Sequence, residues 1–250
     1  MQYIKCYKLF ENLTVLTPEQ VEWLDLCARG LWTLNPSTGL VDVTGNFFCH
    51  GQSLVNFKGV RFGEVEGAFY CRHNNLTSLE GAPHTVEGSF SCEDNALTSL
   101  EGAPHTVRRS FYCSANALTS LEGAPHTVEG DFSCRHNNLT SLEGAPHTVR
   151  RSFYCEDNNL TSLEGAPHTV EGGFSCNDNP VSRETLHILF SLMKQGESYT
   201  EAVESKWNTI PLPDKALIYN PEFKWVDSQE ARNLQTLARV NKIRDMIFKQ

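Results

Sequence analysis

The chain has 250 residues, 40% of them apolar, with nine cysteines and a formal charge of -9. That length and apolar share support a sizeable core without disulfide staples. The acidic balance argues against general nucleic-acid binding, which depends on clustered Lys and Arg neutralising phosphates, and no apolar run reaches a membrane-spanning length.

The stretch from Met1 to Phe10 is too often interrupted by polar residues for a secretory signal, so a cytoplasmic location is expected, with no membrane partner. Thr17-Pro18-Glu19-Gln20 predicts a helix start with a capping box and proline in the first turn, and Gly30 a stop. Val21, Trp23, Leu24, Cys27 and Ala28 give that helix an apolar side. Residues 1–40 are therefore expected to cap the open end of the next segment.

From Phe69 to Gly173 a 21-residue unit recurs almost unchanged, each copy carrying Leu-Thr-Ser-Leu-Glu-Gly-Ala-Pro-His-Thr-Val. Copies start at Phe69, Phe90, Phe111, Phe132 and Phe153, with a degenerate one at Phe47 and a truncated one at Phe174. This period predicts a β-solenoid of leucine-rich-repeat type over residues 41–180, with about seven rungs, one parallel strand per rung and irregular convex arcs. Within a rung such as Phe90-Ser91-Cys92-Glu93-Asp94-Asn95-Ala96-Leu97, Phe90, Cys92, Leu97 and Leu100 are expected inward. The asparagines Asn74, Asn95, Asn116, Asn137, Asn158 and Asn179 are expected to bond the backbone of the turns and of neighbouring rungs. Gln52 holds that place in the first copy, which predicts a looser first rung. Gly-Ala-Pro keeps the arc from becoming a helix.

The motif Leu-Thr-Ser-Leu-Glu-Gly-Ala-Pro followed by Phe-x-Cys-x-x-Asn-x-Leu resembles the short-repeat leucine-rich-repeat proteins of bacteria and phages. More distantly it is similar to the repeat domains of type III secreted effectors. The resemblance covers about Val41 to Asn179 and implies a fold rather than an activity. Some of those effectors are ubiquitin ligases with a large separate catalytic domain. Here about 70 residues follow the repeats and contain no cysteine, so that activity is not implied.

Variation among copies falls on the strand and its edges. The outward column runs Phe48, Tyr70, Ser91, Tyr112, Ser133, Tyr154, Ser175. Neighbouring strands lie about 4.8 Å apart, so the tyrosines repeat about every 10 Å across the expected concave face. Tyrosine and serine suit recognition, although serine between two rings equally gives each ring room. Two charged columns, Glu66-Glu87-Arg108-Glu129-Arg150-Glu171 and Arg72-Glu93-Ser114-Arg135-Glu156-Asn177, set opposite signs side by side, which reads either as stacking register or as partner selection. The candidate partner-binding residues are Tyr70, Arg72, Ser91, Glu93, Tyr112, Ser133, Arg135, Tyr154 and Glu156.

Seven cysteines, Cys49, Cys71, Cys92, Cys113, Cys134, Cys155 and Cys176, form an inward ladder without metal-ligand spacing and read as small buried hydrophobes. His84, His105, His126, His147 and His168 form a column on the arc. They read as solvated turn residues compensated by the glutamates four positions earlier, Glu80 to Glu164, rather than as a metal or pH site. No cofactor or catalytic group is expected: there is no phosphate-binding glycine loop and no nucleophile-base pair, and His187 and Cys27 stand isolated.

Residues 181–250 are expected to form three or four helices. Ser182 to Gln195 is to place Leu186, Leu189, Phe190 and Met193 on one face, with a short helix near Tyr199 to Trp207, a Pro-rich turn at Pro211 and Pro213, and a last helix from about Ser228. This region reads as a cap, or as a docking helix with a basic face. The function expected is a non-enzymatic interaction module whose concave face binds an unidentified protein. The alternative is a structural or adhesive spacer of a virion or cell surface.

Overall fold

The structure is a computed structural model that describes residues 16–192, 199–218 and 226–248. Helix α1, Pro18–Ala28, starts as its capping box dictates: the Gln20 N–H donates to Thr17 Oγ1 (3.2 Å) and the Thr17 N–H to Gln20 Oε1 (2.8 Å). It stops where Arg29 (φ 55°) and Gly30 (φ 73°) enter the left-handed region. Trp23, Leu24, Cys27 and Ala28 are buried, and the Trp23 ring meets Phe47 edge-on at 5.3 Å, so this helix closes the first rung.

The repeats build a parallel-strand solenoid with a 21-residue rung. Each turn supplies two short strands. One sheet joins Val41–Val43 and Phe62–Val65 to the successive Thr-Val pairs, from Thr85–Val86 to Thr169–Val170, with Trp32–Leu34 added antiparallel at its start. The other stacks seven Phe-Phe, Phe-Tyr or Phe-Ser pairs, from Phe47–Phe48 to Phe174–Ser175. The expectation placed Thr-Val in the irregular arc. Two consecutive β-branched residues favour extended backbone instead, and neighbouring rungs repeat them in register, so a second ladder forms.

The core lies between these sheets and the arc. Rings of Phe47, Phe69, Phe90, Phe111, Phe132, Phe153 and Phe174 stack with centroids 5.1–5.7 Å apart, and every ring before Phe174 is fully buried. Beside them run the buried cysteines and the arc leucines, such as Leu118 and Leu121, all at 0% exposure from rung two to rung six except the partly open last turn.

Each asparagine sews the backbone of two consecutive rungs together. Asn137 Oδ1 accepts from the Leu118 N–H (3.0 Å), and its amide donates to the carbonyls of Cys113, Cys134 and Arg135 at 3.0–3.1 Å. The same pattern recurs at Asn95, Asn116, Asn158 and Asn179, as expected. Gln52 does a different job: it accepts from Trp23 Nε1 (2.8 Å) and donates to Cys27 Sγ (3.4 Å), tying α1 to the first rung.

Gly123 shows why the arc needs its glycine. It sits at φ 92°, and a Cβ there would fall 2.6 Å from the Leu100 carbonyl oxygen of the preceding rung. Gly123→Ala is expected to cost about 1–3 kcal/mol, read as a lower urea midpoint. An unchanged midpoint would remove this reason for the Gly-Ala-Pro step.

After Asn179 come α2 (Arg183–Leu192), α3 (Tyr199–Lys206), a tight turn at Trp207–Thr209, α4 (Leu212–Ile218) and α5 (Ser228–Phe248). The Pro211-Pro213 stretch, expected as a turn, opens α4, because a proline in a first helical turn removes an N–H that has no partner there anyway. Leu189 is buried, and Phe190 meets the last Phe-stack ring, Phe174, edge-on at 5.6 Å. Helix α5 docks through buried Leu234 and through Glu230, which accepts from Lys215 Nζ (2.9 Å) and Trp207 Nε1 (3.3 Å). The Lys215 ammonium holds the Glu230 carboxyl below its ordinary range. Leu186, Met193, Gly196 and the end of α5, with Lys242, Arg244 and Ile247, lie outside the residues whose side chains are described.

Candidate protein-interaction face

The outward residues of the Phe sheet form one row because the strands pair in register: Phe48 with Tyr70, Tyr70 with Ser91, Ser91 with Tyr112, and so on to Ser175. The three tyrosines are half-buried. Ser91 and Ser133, expected to offer hydrogen bonds to a partner, are only 1% and 6% exposed. Larger neighbours on both sides close over them. Ser91 Oγ donates to Glu93 Oε2 (3.1 Å), and Ser133 Oγ lies 2.8 Å from Ser114 Oγ, so their hydrogen bonds are already used.

Arg135 and Glu156 meet across adjacent rungs, with Nε 2.9 Å from Oε2. Both atoms are shut off from solvent, at an angle that makes the contact an ion pair rather than a hydrogen bond. The Arg135 guanidinium also lies 4.3 Å above the Tyr154 ring. The corresponding Arg72 and Glu93 do not pair; Arg72 is exposed and sits 5.9 Å over Tyr70. Thus the structure brings Arg135, Tyr154 and Glu156 into one cluster and leaves Tyr70, Arg72, Glu93 and Tyr112 more loosely associated.

The other charged column runs along the bend between the sheets. Arg108 pairs with Glu87 at 3.2 Å, and Arg150 with Glu129 at 2.6 Å and Glu171 at 3.8 Å. These contacts are exposed and contribute about 0.2–1 kcal/mol each, enough to favour one stacking register over its neighbours. Among the described residues Glu66 makes no ion pair; it lines, with Tyr70, Glu87 and Arg109, a shallow cleft of about 320 Å³.

The arc histidines stack in two groups, His84 with His105 and His126 through His147 to His168. Centroids of His126 and His147 are 5.0 Å apart, and those of His147 and His168 4.8 Å. Their Nδ1 atoms lie 3.3–3.5 Å from the hydroxyl of the next threonine, and His168 reaches Glu201 of α3 at 3.3 Å. Neither His126 nor His147 makes an ion pair with the glutamate four residues before it, so the expected compensation is not formed there. Among the described residues, no group of three or more His, Cys, Asp or Glu side chains is placed to hold a metal ion. No described helix is long and apolar enough to cross a membrane.

A signal missed in the sequence is Arg29. It ends α1, and its guanidinium stands 5.7 Å over the Phe48 ring, which adds a third cation-aromatic contact to the face. Only its place just before the helix stop at Gly30 marked it, and that place gives no hint of which ring it meets. Comparisons with known protein families, with curated proteins and with solved structures found no match.

Proposed function

We propose that this chain is a non-enzymatic protein-interaction module of leucine-rich-repeat type, which takes a protein partner on the outward face of its Phe sheet. The observation that carries this reading is the distribution of variation. Core and arc positions repeat almost unchanged, whereas the side chains that differ from rung to rung fall on the Phe strand and its edges, and Tyr70, Arg72, Glu93, Tyr112, Arg135, Tyr154 and Glu156 among them share one face. Half-buried tyrosines beside stacked arginines offer rigid, amphipathic contact area at a small entropy cost. The resemblance to bacterial and phage repeat proteins fits an intracellular factor that binds a host protein.

Burial of Ser91 and Ser133 favours a second reading, a structural or adhesive spacer, in which serine only makes room for the rings. The test compares capture from bacterial lysate by the intact protein and by a triple variant, Tyr70→Ser, Tyr112→Ser and Tyr154→Ser, both checked for native melting. The expected result is a specific protein retained by the intact form and lost, by about tenfold or more, with the variant. Equal retention by both, or assembly of the protein into particles without capture, would move the reading to the spacer.

A further inference from the structure

Three arginines of this face lie over aromatic rings: Arg29 over Phe48 (5.7 Å), Arg72 over Tyr70 (5.9 Å) and Arg135 over Tyr154 (4.3 Å). A guanidinium laid on a ring is held in place while its N–H edge stays open, which is the arrangement that accepts a carboxylate with little further loss of freedom. At Arg135 the chain supplies a carboxylate itself, Glu156, as an ion pair at 2.9 Å.

By register Arg72 should find Glu93 in the same way. The couplet Arg-His on one rung and Glu-Asp on the next occurs twice, at 72–73 with 93–94 and at 135–136 with 156–157. Both copies form the accompanying His-Asp contact, His73 to Asp94 at 2.8 Å and His136 to Asp157 at 3.4 Å. Only the second forms the Arg-Glu pair. The couplet recurs every three rungs and the Tyr/Ser alternation every two, so the couplets meet opposite partners. Glu156 stands beside Tyr154, a platform for Arg135, whereas Glu93 stands beside Ser91 and is turned aside by the hydroxyl that donates to it. Arg72 is left stacked, exposed and without a carboxylate.

Arg29 is in the same condition one step toward the N-terminus. The Phe48 and Tyr70 rings under the two arginines are themselves stacked at 5.6 Å, and His50 touches Phe48 edge-on at 6.2 Å. Among the described residues neither Arg29 nor Arg72 makes an ion pair. A compact basic and aromatic patch therefore opens an otherwise acidic solenoid.

We infer that Arg29, Phe48, His50, Tyr70 and Arg72 form a seat for the carboxylate side chains of an acidic segment of a protein partner, which fill at Arg29 and Arg72 the place Glu156 fills at Arg135. This rests on the interaction-module reading and assigns the partner's chemistry. Glu66, Glu87 and Glu93 border the seat, so a continuous phosphate chain laid across it would meet like charge, whereas spaced carboxylates can avoid it.

The probe is a short blocked peptide of alternating Glu and Gly, with its Gln-for-Glu counterpart and a short oligothymidylate as comparators, titrated at low salt by calorimetry or NMR. The Glu peptide is expected to bind and the Gln peptide not to. Arg29→Gln with Arg72→Gln should weaken binding about tenfold or more, while Arg61→Gln with Arg151→Gln, which removes the same charge from exposed arginines off the face, should change it less than about twofold. Equal weakening by both double variants would mean bulk attraction and overturn the inference. So would oligothymidylate binding as tight as that of the Glu peptide, or no binding of the peptide at millimolar concentration. A captured protein lost with the tyrosine variant but indifferent to Arg29 and Arg72 sinks only this inference; capture unaffected by the tyrosines sinks the underlying reading.

Discussion

Raising the pH from about 9 to about 10 is expected to remove about 5 kcal/mol of folding stability, an amount comparable to the whole stability of many domains. Burial pushes the thiols of Cys49, Cys71, Cys92, Cys113 and Cys134 well above their ordinary pKa of 9.0. The folded chain therefore keeps these protons above pH 9, while the unfolded chain releases them. Because the native state then binds more protons, stability is fully present below the unfolded thiol pKa and falls as pH rises past it. Each thiol contributes about 1 kcal/mol over the first unit, and five act together.

Urea midpoints at pH 8, 9 and 10 read the effect. Lysine and tyrosine titration adds a background, so the decisive comparison is with Cys92→Ala and Cys113→Ala together. That variant starts less stable but should lose about two-fifths of the thiol part of the alkaline slope, about 2 kcal/mol between pH 9 and 10. An unchanged slope would mean that the ladder is wetter than its 0% exposures indicate. On this expectation the buried thiols set an upper pH limit for the fold.

The sequence made the inward rows legible because a strict 21-residue period leaves one way to superpose the rungs: Phe90 under Phe111, Cys92 under Cys113, Asn95 under Asn116. The second ladder of Thr-Val pairs was harder to see, since a two-residue strand has no alternation to count and is defined only by its neighbour one rung away. The outward face was legible as a column and misread in depth. Whether Ser91 is a contact or a spacer depends on how Tyr70, Tyr112 and Glu93 close over it, which spacing alone does not give. Arg29 belongs to the same class: its ring partner, Phe48, lies 19 positions on and outside its helix. What does follow from the sequence, once the geometry is known, is the clash of a two-rung and a three-rung period that leaves Arg72 and Glu93 apart while joining Arg135 to Glu156.

Asn137→Ala is expected to cost about 3–5 kcal/mol, more than deletion of most exposed side chains by a wide margin. The asparagine is 6% exposed, so water does not replace it. Its loss leaves the Leu118 N–H without its acceptor and removes the donor shared by the carbonyls of Cys113, Cys134 and Arg135. Each buried group left unmade costs about 1–3 kcal/mol, and these belong to consecutive rungs, so the damage falls on the interface that makes the repeats cooperative. Asn137→Asp should be worse than alanine: it keeps the oxygen that accepts from Leu118 but turns a second oxygen toward three carbonyls. Asn116 makes the same set of bonds from a half-buried position, where water can reach the vacated groups, and its alanine variant should cost less. Chemical denaturation followed at two probes, one in each half of the solenoid, checks both points. A cost near zero at Asn137, or an equal cost at both positions, would mean that the stacked phenylalanines hold the rungs together without the amide ladder.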